Sequence, residues 1–306
     1  MNFTSFKESV RQEIIKRIGN DSRVRINNVR KNNGIVLSGL TITEKDGNIF
    51  PTVYLNEYYT DYIGGRIAFS DVIDGVLNTY NRNKVGQYVD MRYFLNFDEV
   101  KHRIVYKLVN TEKNKELLED VPHMEFMDLS VVFQCLVTQE EVGAAFILIH
   151  NVHMKLWDVS TAELYQIAEK NTPRLLPCEI KSMYQVLLEI MRDENSEQFD
   201  EEECTKNLPD DIPMYVLTNQ SRIDGATCIM YPDVLRNFAE TIDSSFYIIP
   251  SSIHEVLILP AETFEDSEEI LCMIKEINDT QVGEEDILSY SLYCYNRVAD
   301  SLSTLS

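Results

Sequence analysis

Three of the five histidines stand where an imidazole could act on a ligand. His150 and His153 are three residues apart at the end of an apolar run, and His254 follows a Pro-Ser-Ser turn. Three imidazole nitrogens can hold zinc and leave its fourth position to a water molecule. The spacing therefore allows a hydrolytic or metal-assisted site, with His150 and His153 as its metal candidates. In the alternative interpretation these histidines hydrogen-bond neighbouring loops, and no cofactor is predicted.

Arg174 stands between two prolines in the stretch NTPRLLP, where the backbone is stiff. A guanidinium held in such a loop suits a carboxylate or a phosphate group. Its other possible role is to hold loop carbonyl groups. Together with His254 and Glu255, Arg174 is one of three candidate catalytic residues. The candidate binding residues form a wider set, namely His150, Asn151, His153, Asn171 and Arg174.

The familiar catalytic and nucleotide-binding motifs are incomplete in this chain. Ser251 and Ser252 lie close to His254, but no G-x-S-x-G sequence places a serine on a nucleophile turn. The sequence also contains neither G-x-x-x-x-G-K-[ST] nor G-x-G-x-x-G. Motifs therefore favour a protein that binds without chemistry over an enzyme.

Composition narrows the classes of partner. Of the 306 residues 44% are hydrophobic, which is enough for a substantial core, and 50 acidic against 28 basic residues give a net charge of −22. Such a charge repels DNA, RNA and anionic membrane surfaces. The six cysteines form no C-x-x-C pair, a usage typical of a reducing compartment. We therefore expect a cytoplasmic protein with no direct nucleic-acid binding and no membrane contact.

Hydrophobic periodicity predicts an N-terminal helix followed by an antiparallel meander. Apolar residues over 3–18 recur at helical spacing. Asn33-Gly34 lies between two alternating runs, 24–29 and 35–42, which is typical of a β-hairpin. Three clustered tyrosines follow, which would either cover a small sheet or grip a ligand. The remaining predicted elements of this region are a turn at 45–48, a strand at 49–55 and helices at 56–62 and 69–80; the tyrosines are Tyr58, Tyr59 and Tyr62.

The pattern in the middle of the chain predicts helices interrupted by one β-hairpin. Residues 97–118 show a helical pattern broken near Asn110, and the apolar runs 126–137 and 143–150 predict a second hairpin. A capped helix is predicted to run from about Ser160 to Asn171. Two prolines predict irregular structure over 172–177, and a further helix is predicted at 179–191.

An acidic stretch at 193–212 predicts a linker or a mobile loop between an N-terminal region, 1–192, and a C-terminal unit, 213–306. Within the C-terminal unit, the segment FYIIPSSIHEVLILPA at 246–261 is a clear hairpin, with turn chemistry supplied by Pro-Ser-Ser. The predicted fold class is α+β, with mainly antiparallel sheets and packed helices. The other elements predicted here are strands at 214–218, 226–231 and 289–296 and helices at 233–242 and 267–278.

Several stretches resemble a known family in order and spacing. They are NNGIVLSGLTI, PTVYLNEYY, RIVYKLVN, NKELLEDVPHMEFMDLSVVF, LIHNVHMKLWDVS, NTPRLLP, MYVLTN and YIIPSSIHEVLILPA. Together they resemble DUF5688, an uncharacterised family of gut Clostridia, over almost the whole chain. The resemblance implies a bacterial cytoplasmic protein and brings no known activity. A fainter similarity to the unannotated YtpQ-like proteins would match Arg174 and His254, although Pro173 and Ser251-Ser252 depart from that pattern.

Three functions remain open at this point. The favoured one is a non-catalytic interaction or regulatory module that binds a protein partner or a small ligand. The second is a hydrolytic or metal-assisted enzyme with its site near His150, His153, Arg174 and His254. The third is an acidic decoy that occupies a nucleic-acid-binding protein, and it depends on net charge alone.

Overall fold

The computed structural model describes residues 1–19, 22–44, 50–84, 91–140, 143–194, 213–263 and 267–305. The chain forms two compact units, Met1–Phe94 and Leu95–Ser306. The described strands form three antiparallel sheets, one in the first unit and two in the second, and helices accompany each of them. The α+β fold class predicted from the sequence is confirmed.

The first unit follows the predicted order of helix, hairpin and third strand. The side chain of Asn2 accepts a hydrogen bond from the backbone of Ser5 at 2.9 Å and so caps the first helix. Asn33 and Gly34 turn the hairpin with positive φ angles of 59° and 70°. The predicted turn at 45–48 lies outside the described residues. The elements are α1 (Phe3–Ile18), β1 (Arg23–Arg30), β2 (Val36–Thr43), β3 (Thr52–Tyr54), α2 (Asn56–Ile63) and α3 (Phe69–Asn83).

One face of the β1-β2-β3 sheet forms the core of the first unit. Leu40, Ile42 and Val53 point to that face by strand alternation and are almost fully buried. Phe6 and Val76, on α1 and α3, belong to the same buried cluster. The apolar stripes of the two helices therefore pack on the inner face of the sheet, and β3 is left as an edge strand.

The second unit begins with a sheet built around one long strand. Strand β6 pairs with β4 along one side, and with β5 and then β7 along the other. The predicted hairpin of β6 and β7 is confirmed. The elements are α4 (Phe97–Val100), β4 (Ile104–Asn110), α5 (Lys115–Leu118), β5 (His123–Phe126), β6 (Leu129–Glu140), β7 (Gly143–Leu148), α6 (Asn151–Trp157) and α7 (Thr161–Leu175).

The helical prediction for residues 97–118 is wrong at its centre, where β4 stands. Ile104, Val105, Tyr106, Leu108 and Val109 are all buried, so both faces of this strand are covered. A strand that is covered on both faces carries apolar residues on both, so apolar and polar residues no longer alternate along it. A continuous apolar run also contains pairs of apolar residues at helical spacing. The β-branched composition was the signal that favoured a strand.

The prediction of irregular structure at 172–177 is also wrong for residues 172–175, because α7 continues through Pro173 to Leu175. Proline removes one helical donor, but tertiary contacts hold this last turn. The hydroxyl of Thr172 donates to the carbonyl of Ala168 at 2.6 Å and accepts from the backbone of Tyr106 at 3.2 Å. The backbone of Leu176 then closes on Thr172 at 2.8 Å.

The third sheet carries the C-terminal hairpin at its centre, in the order β13-β12-β10-β11-β9-β8. The predicted hairpin is confirmed, with Phe246 opposite Pro260 and Ile249 opposite Leu257. The predicted strand at 226–231 is instead a buried 3-10 helix, Gly225–Met230. The elements are β8 (Cys178–Ser182), α8 (Met183–Glu194), β9 (Tyr215–Asn219), α9 (Val234–Ile242), β10 (Phe246–Ile249), β11 (Val256–Pro260), α10 (Ser267–Thr280), β12 (Leu292–Asn296) and β13 (Ser301–Leu305).

The helix predicted from 179 begins only at Met183, because residues 178–182 form β8. Ser182 and Gln185 cap the helix reciprocally. The backbone nitrogen of Ser182 donates to the side-chain oxygen of Gln185 at 3.0 Å, and the backbone nitrogen of Gln185 donates to the hydroxyl of Ser182 at 3.2 Å. Strand β8, which precedes the acidic stretch in the chain, pairs with β9, which follows it. Residues 195–212 of that predicted linker lie outside the described residues, and the two strands that flank the stretch belong to one sheet.

Candidate functional site

A cavity of about 260 Å³ lies on one face of the third sheet, within the second unit. Strand alternation explains which residues reach it. Lys181 lies opposite Val216, and Val216 lies opposite Leu257, so these three side chains share one face across β8, β9 and β11. Met183 and Val186 of α8 complete an apolar lining. The volume is near the lower end of small-ligand sites.

The rim of the cavity is charged and carries both signs. Lys181 lies 2.7 Å from Glu189 and 3.0 Å from Glu179, and Arg222 lies 2.8 Å from Glu189. The ion pair with Glu189 raises the pKa of Lys181, and Lys181 in turn lowers the pKa of Glu189. The ammonium group of Lys181 is thus shared between two carboxylates, whereas Arg222 contacts one carboxylate through Nη2 alone among the described contacts.

Glu255, predicted as a catalytic candidate, lines this cavity at the start of β11. The side chain is half-buried, and within the described residues it makes neither a hydrogen bond nor an ion pair. A half-buried carboxylate without a protein partner is available to a cationic or hydrogen-bond-donating ligand. Glu255 is therefore the one predicted candidate residue that lies at this cavity.

The backbone beside Glu255 is fixed by close packing. Thr218, which also lines the cavity, donates its hydroxyl to the carbonyl of His254 at 2.7 Å. Gly225 packs against the same groups so tightly that a Cβ atom would overlap the Thr218 hydroxyl and the His254 carbonyl. A Cβ would also lie 2.8 Å from the backbone nitrogen of Asn219. The absence of a side chain at Gly225 therefore allows this wall of the cavity to form.

Both ring nitrogens of His254 are engaged. Nε2 lies 3.4 Å from Asp286, and Nδ1 accepts a hydrogen bond from the backbone of Asp224 at 3.3 Å. The contact with Asp286 raises the pKa of His254 above its ordinary value of 6.5, against the opposing effect of burial. The hydroxyl of Ser252 accepts from the His254 backbone at 3.0 Å and is not paired with the ring. The geometry therefore gives His254 a turn-holding role and does not make it a base for Ser252.

His150 and His153 lie close together at the start of α6. Nδ1 of His150 lies 2.8 Å from Asp120, and Nδ1 of His153 accepts from the His150 backbone at 3.0 Å. Burial, followed by the charge of His150, lowers the pKa of His153. Asn151 donates its side-chain amide to the carbonyl of Glu119 at 3.1 Å. The three residues tie the first turn of α6 to the loop after α5.

Asn171 and Arg174 attach α7 to the segment before β4. The amide of Asn171 donates to the carbonyls of Lys101 and Ile104, at 2.7 and 3.0 Å. Arg174 donates to the carbonyl of His102 at 2.9 Å and to the Asn171 side chain at 3.2 Å. The guanidinium thus holds backbone carbonyl groups, which was the alternative interpretation drawn from the sequence.

The residues proposed as one shared site have separate partners. His150 contacts Asp120, Arg174 contacts His102, and His254 contacts Asp286. In the part of the chain that the structure describes, no three histidine, cysteine or acidic side chains are arranged to hold a metal ion. No helix among the described residues is long and apolar enough to cross a membrane.

Lys181, Glu189 and Arg222 were not among the residues predicted to form a site. The signal for Lys181 was available, since Cys178-Glu-Ile-Lys-Ser182 alternates apolar and polar residues as a half-buried strand does. For Glu189 and Arg222 the decisive fact is the pairing of β8 with β9, which joins segments that are distant in the chain.

The fold is α+β with a cavity on its third sheet, and comparison with known proteins gives the family. A protein-family model described as a family of unknown function, DUF5688, matches residues 3–297. The chain therefore belongs to the DUF5688 family. Neither the curated proteins nor the solved structures contain a match to it.

Proposed function

We propose that this protein is a non-catalytic binding module whose cavity on the third sheet holds a small zwitterion with an apolar side group. Such a module would serve an interaction or regulatory role, with a cytoplasmic bacterial setting proposed from the family resemblance. The observation that carries the proposal is the presence, on one rim above an apolar floor, of two charged groups of opposite sign: a guanidinium with spare donors and a carboxylate that makes no hydrogen bond or ion pair with the described residues.

Each part of the cavity suits one part of an apolar amino acid. Arg222 uses one hydrogen of Nη2 for Glu189, so one edge of its guanidinium can still donate two parallel hydrogen bonds to a carboxylate. Glu255 offers its carboxylate to an ammonium group. Val216 and Leu257 form an apolar surface for an aliphatic side chain. Lys181 is already neutralised by two carboxylates and is left as a positioning group.

The enzymatic alternative receives less support. It requires His150, His153, Arg174 and His254 to act together, whereas His150, Arg174 and His254 contact Asp120, His102 and Asp286 respectively. The acidic-decoy alternative continues to depend on the net charge of −22.

The test is a titration of the protein with L-leucine, followed by calorimetry and by backbone amide NMR signals of Val216, Thr218 and Leu257. Arg222→Gln and Glu255→Gln are each expected to weaken binding roughly ten-fold, because each removes a charged hydrogen-bond partner. Arg236→Gln serves as the matched control, since Arg236 pairs with Asp233 and Asp300 outside the cavity.

Two modified ligands assign the charges. N-acetyl-leucine lacks the ammonium group, so its binding should be insensitive to Glu255→Gln and sensitive to Arg222→Gln. Leucinamide lacks the carboxylate and should show the reverse. An absence of saturable shifts at the cavity residues with all three ligands would overturn the proposal, as would equal losses in both variants whichever group the ligand lacks.

A further inference from the structure

A second cavity, of about 400 Å³, lies in the first unit and is independent of the site above. Two tyrosines and two carboxylates line it, and its lining among the described residues contains no lysine or arginine. The side chains are Tyr54 from β3 and Glu57, Tyr58 and Asp61 from α2, and the other lining residues are Thr52, Val53 and Thr79. The cavity therefore combines aromatic rings with negative charge, a combination that suits a cation.

Local structure brings these residues together. Strand β3 ends at Tyr54 and α2 begins at Asn56, so the strand end and the first turns of the helix are adjacent. Glu57 and Asp61 are four residues apart on α2, and Tyr58 is three residues from Asp61, so the three share one side of the helix. The lining is thus a property of one short strand-to-helix connection.

The ring of Tyr58 is held in place by α3. Its hydroxyl lies 3.1 Å from the hydroxyl of Thr79, and a Cβ atom on Gly75 would come within 2.8 Å of the ring. Gly75 therefore leaves space that the tyrosine fills. A ring fixed in this way loses little conformational entropy when a ligand binds against it.

The two carboxylates differ in their availability. Asp61 forms an ion pair with Arg66 at 2.6 Å, which compensates much of its charge. Glu57 is exposed and takes part in no ion pair within the described residues of the unit. A cation in the cavity would therefore find its counter-ion in Glu57.

An intramolecular contact shows how the tyrosine at this cavity binds charge. Nζ of Lys31 lies 4.2 Å from the centroid of the Tyr54 ring. That distance is within the range of cation–π contacts, where an ammonium group is attracted by the negative face of the ring. Tyr54 is thus already an ammonium-binding ring within the fold.

We propose that this cavity binds a small organic ammonium ion, with Tyr54 and Tyr58 as ring contacts and Glu57 as the counter-ion. An ammonium that carries methyl groups fits best, because its charge is spread over an apolar surface that rings contact without removing a tight hydration shell. Metal ions are a poorer match, since no suitable ligand group exists among the described residues.

The experiment uses choline as the probe and 3,3-dimethylbutan-1-ol, its uncharged counterpart of the same shape, as the matched control ligand. Ring and amide NMR signals of Tyr54, Tyr58 and Glu57 are followed during titration of the full chain. We expect saturable shifts with choline only. Equal responses to the two ligands, or none to choline, would overturn the proposal.

Variants identify the binding groups. Glu57→Gln is exposed and conservative, so it should fold normally and weaken choline binding roughly five-fold, more at low salt than at high salt. Tyr58→Leu should abolish the saturable shifts. Glu13→Gln, a change in α1 at a residue that pairs with Lys16, should leave affinity unchanged. Unchanged affinity in Glu57→Gln would remove the counter-ion role and with it the proposal.

Discussion

Tyr293 donates its phenolic hydrogen to the carboxylate of Asp128 at 2.5 Å, although the two residues are 165 positions apart in the chain. Asp128 lies at the tip of the β5–β6 hairpin, and Tyr293 lies in β12 of the third sheet. The same carboxylate accepts hydrogen bonds from Ser289 at 2.5 Å and Ser291 at 3.1 Å. One side chain thus receives three hydroxyl donors and joins the two sheets of the second unit.

Asp128→Ala should therefore be strongly destabilising. The change leaves Tyr293 and Ser289, both fully buried, without their acceptor, at a cost of about 3 kcal/mol. Tyr293→Phe removes one donor and leaves the others paired, so about 1 kcal/mol is expected. The measurement is the free energy of unfolding in urea, with Glu276→Ala on the exposed side of α10 as control. A smaller loss for Asp128→Ala than for Tyr293→Phe would contradict the assignment.

Gly225→Ala should destabilise the second unit by roughly 3 kcal/mol or more, since overpacking and a displaced backbone act together. The added methyl group meets backbone atoms of Asn219 and His254, which cannot rotate away. Gly283→Ala is the matched control, because its nearest atom is a side-chain oxygen of Asp286 at an ordinary 3.5 Å. Thermal unfolding of the two variants gives the comparison. Similar melting temperatures would show that the wall beside Glu255 adapts.

Asn171 and Arg174, both predicted to bind ligand, should instead affect stability by different amounts. Asn171→Leu leaves the carbonyls of Lys101 and Ile104 without a donor, which should cost about 2 kcal/mol. Arg174→Met loses an exposed hydrogen bond and should cost less than about 1 kcal/mol. Chemical denaturation measures both. If Arg174→Met proved the more damaging, the arginine would have a role beyond holding a loop.

The contact of His254 with Asp286 should make stability depend on pH. Because the folded pKa of His254 is raised above 6.5, the contact contributes stability that is fully present below pH 6.5 and is lost as pH rises through the folded value. Asp286→Asn should lower the pKa of His254 and flatten this dependence. NMR titration of the imidazole and unfolding free energies over the same pH range provide the measurement. An unchanged pKa in Asp286→Asn would show that another group controls the ring.

The parts of the fold that the sequence predicts correctly are those with local signals. Helix α1 has its 3.6-residue stripe, the first hairpin has Asn33-Gly34, and the last hairpin has its proline-serine turn. Strand β4 was mistaken for helix because both of its faces are buried, and α7 passes through Pro173 because Thr172 is bonded to Tyr106. In both cases distant contacts outweigh the local pattern.

The candidate site shows the same limit. Glu255 was identified from its place after the Pro-Ser-Ser turn, and it lines the cavity. The cationic groups of the cavity are Lys181 of β8 and Arg222 in the loop after β9. They are brought together by the pairing of β8 with β9, which no local motif predicts. His254, Arg174 and His150 carry reactive groups, yet their contacts are with the protein's own backbone and carboxylates.

The hydrogen bond between Asp128 and Tyr293 also limits when the two sheets of the second unit can be linked during synthesis. The first unit is one continuous segment, Met1–Phe94, so all of its internal contacts are available once that segment has left the ribosome. The hairpin that carries Asp128 is made soon afterwards, but its carboxylate lacks its three hydroxyl partners until Ser289, Ser291 and Tyr293 have been translated. This link between the two sheets of the second unit can therefore form only after nearly all of the chain has been translated.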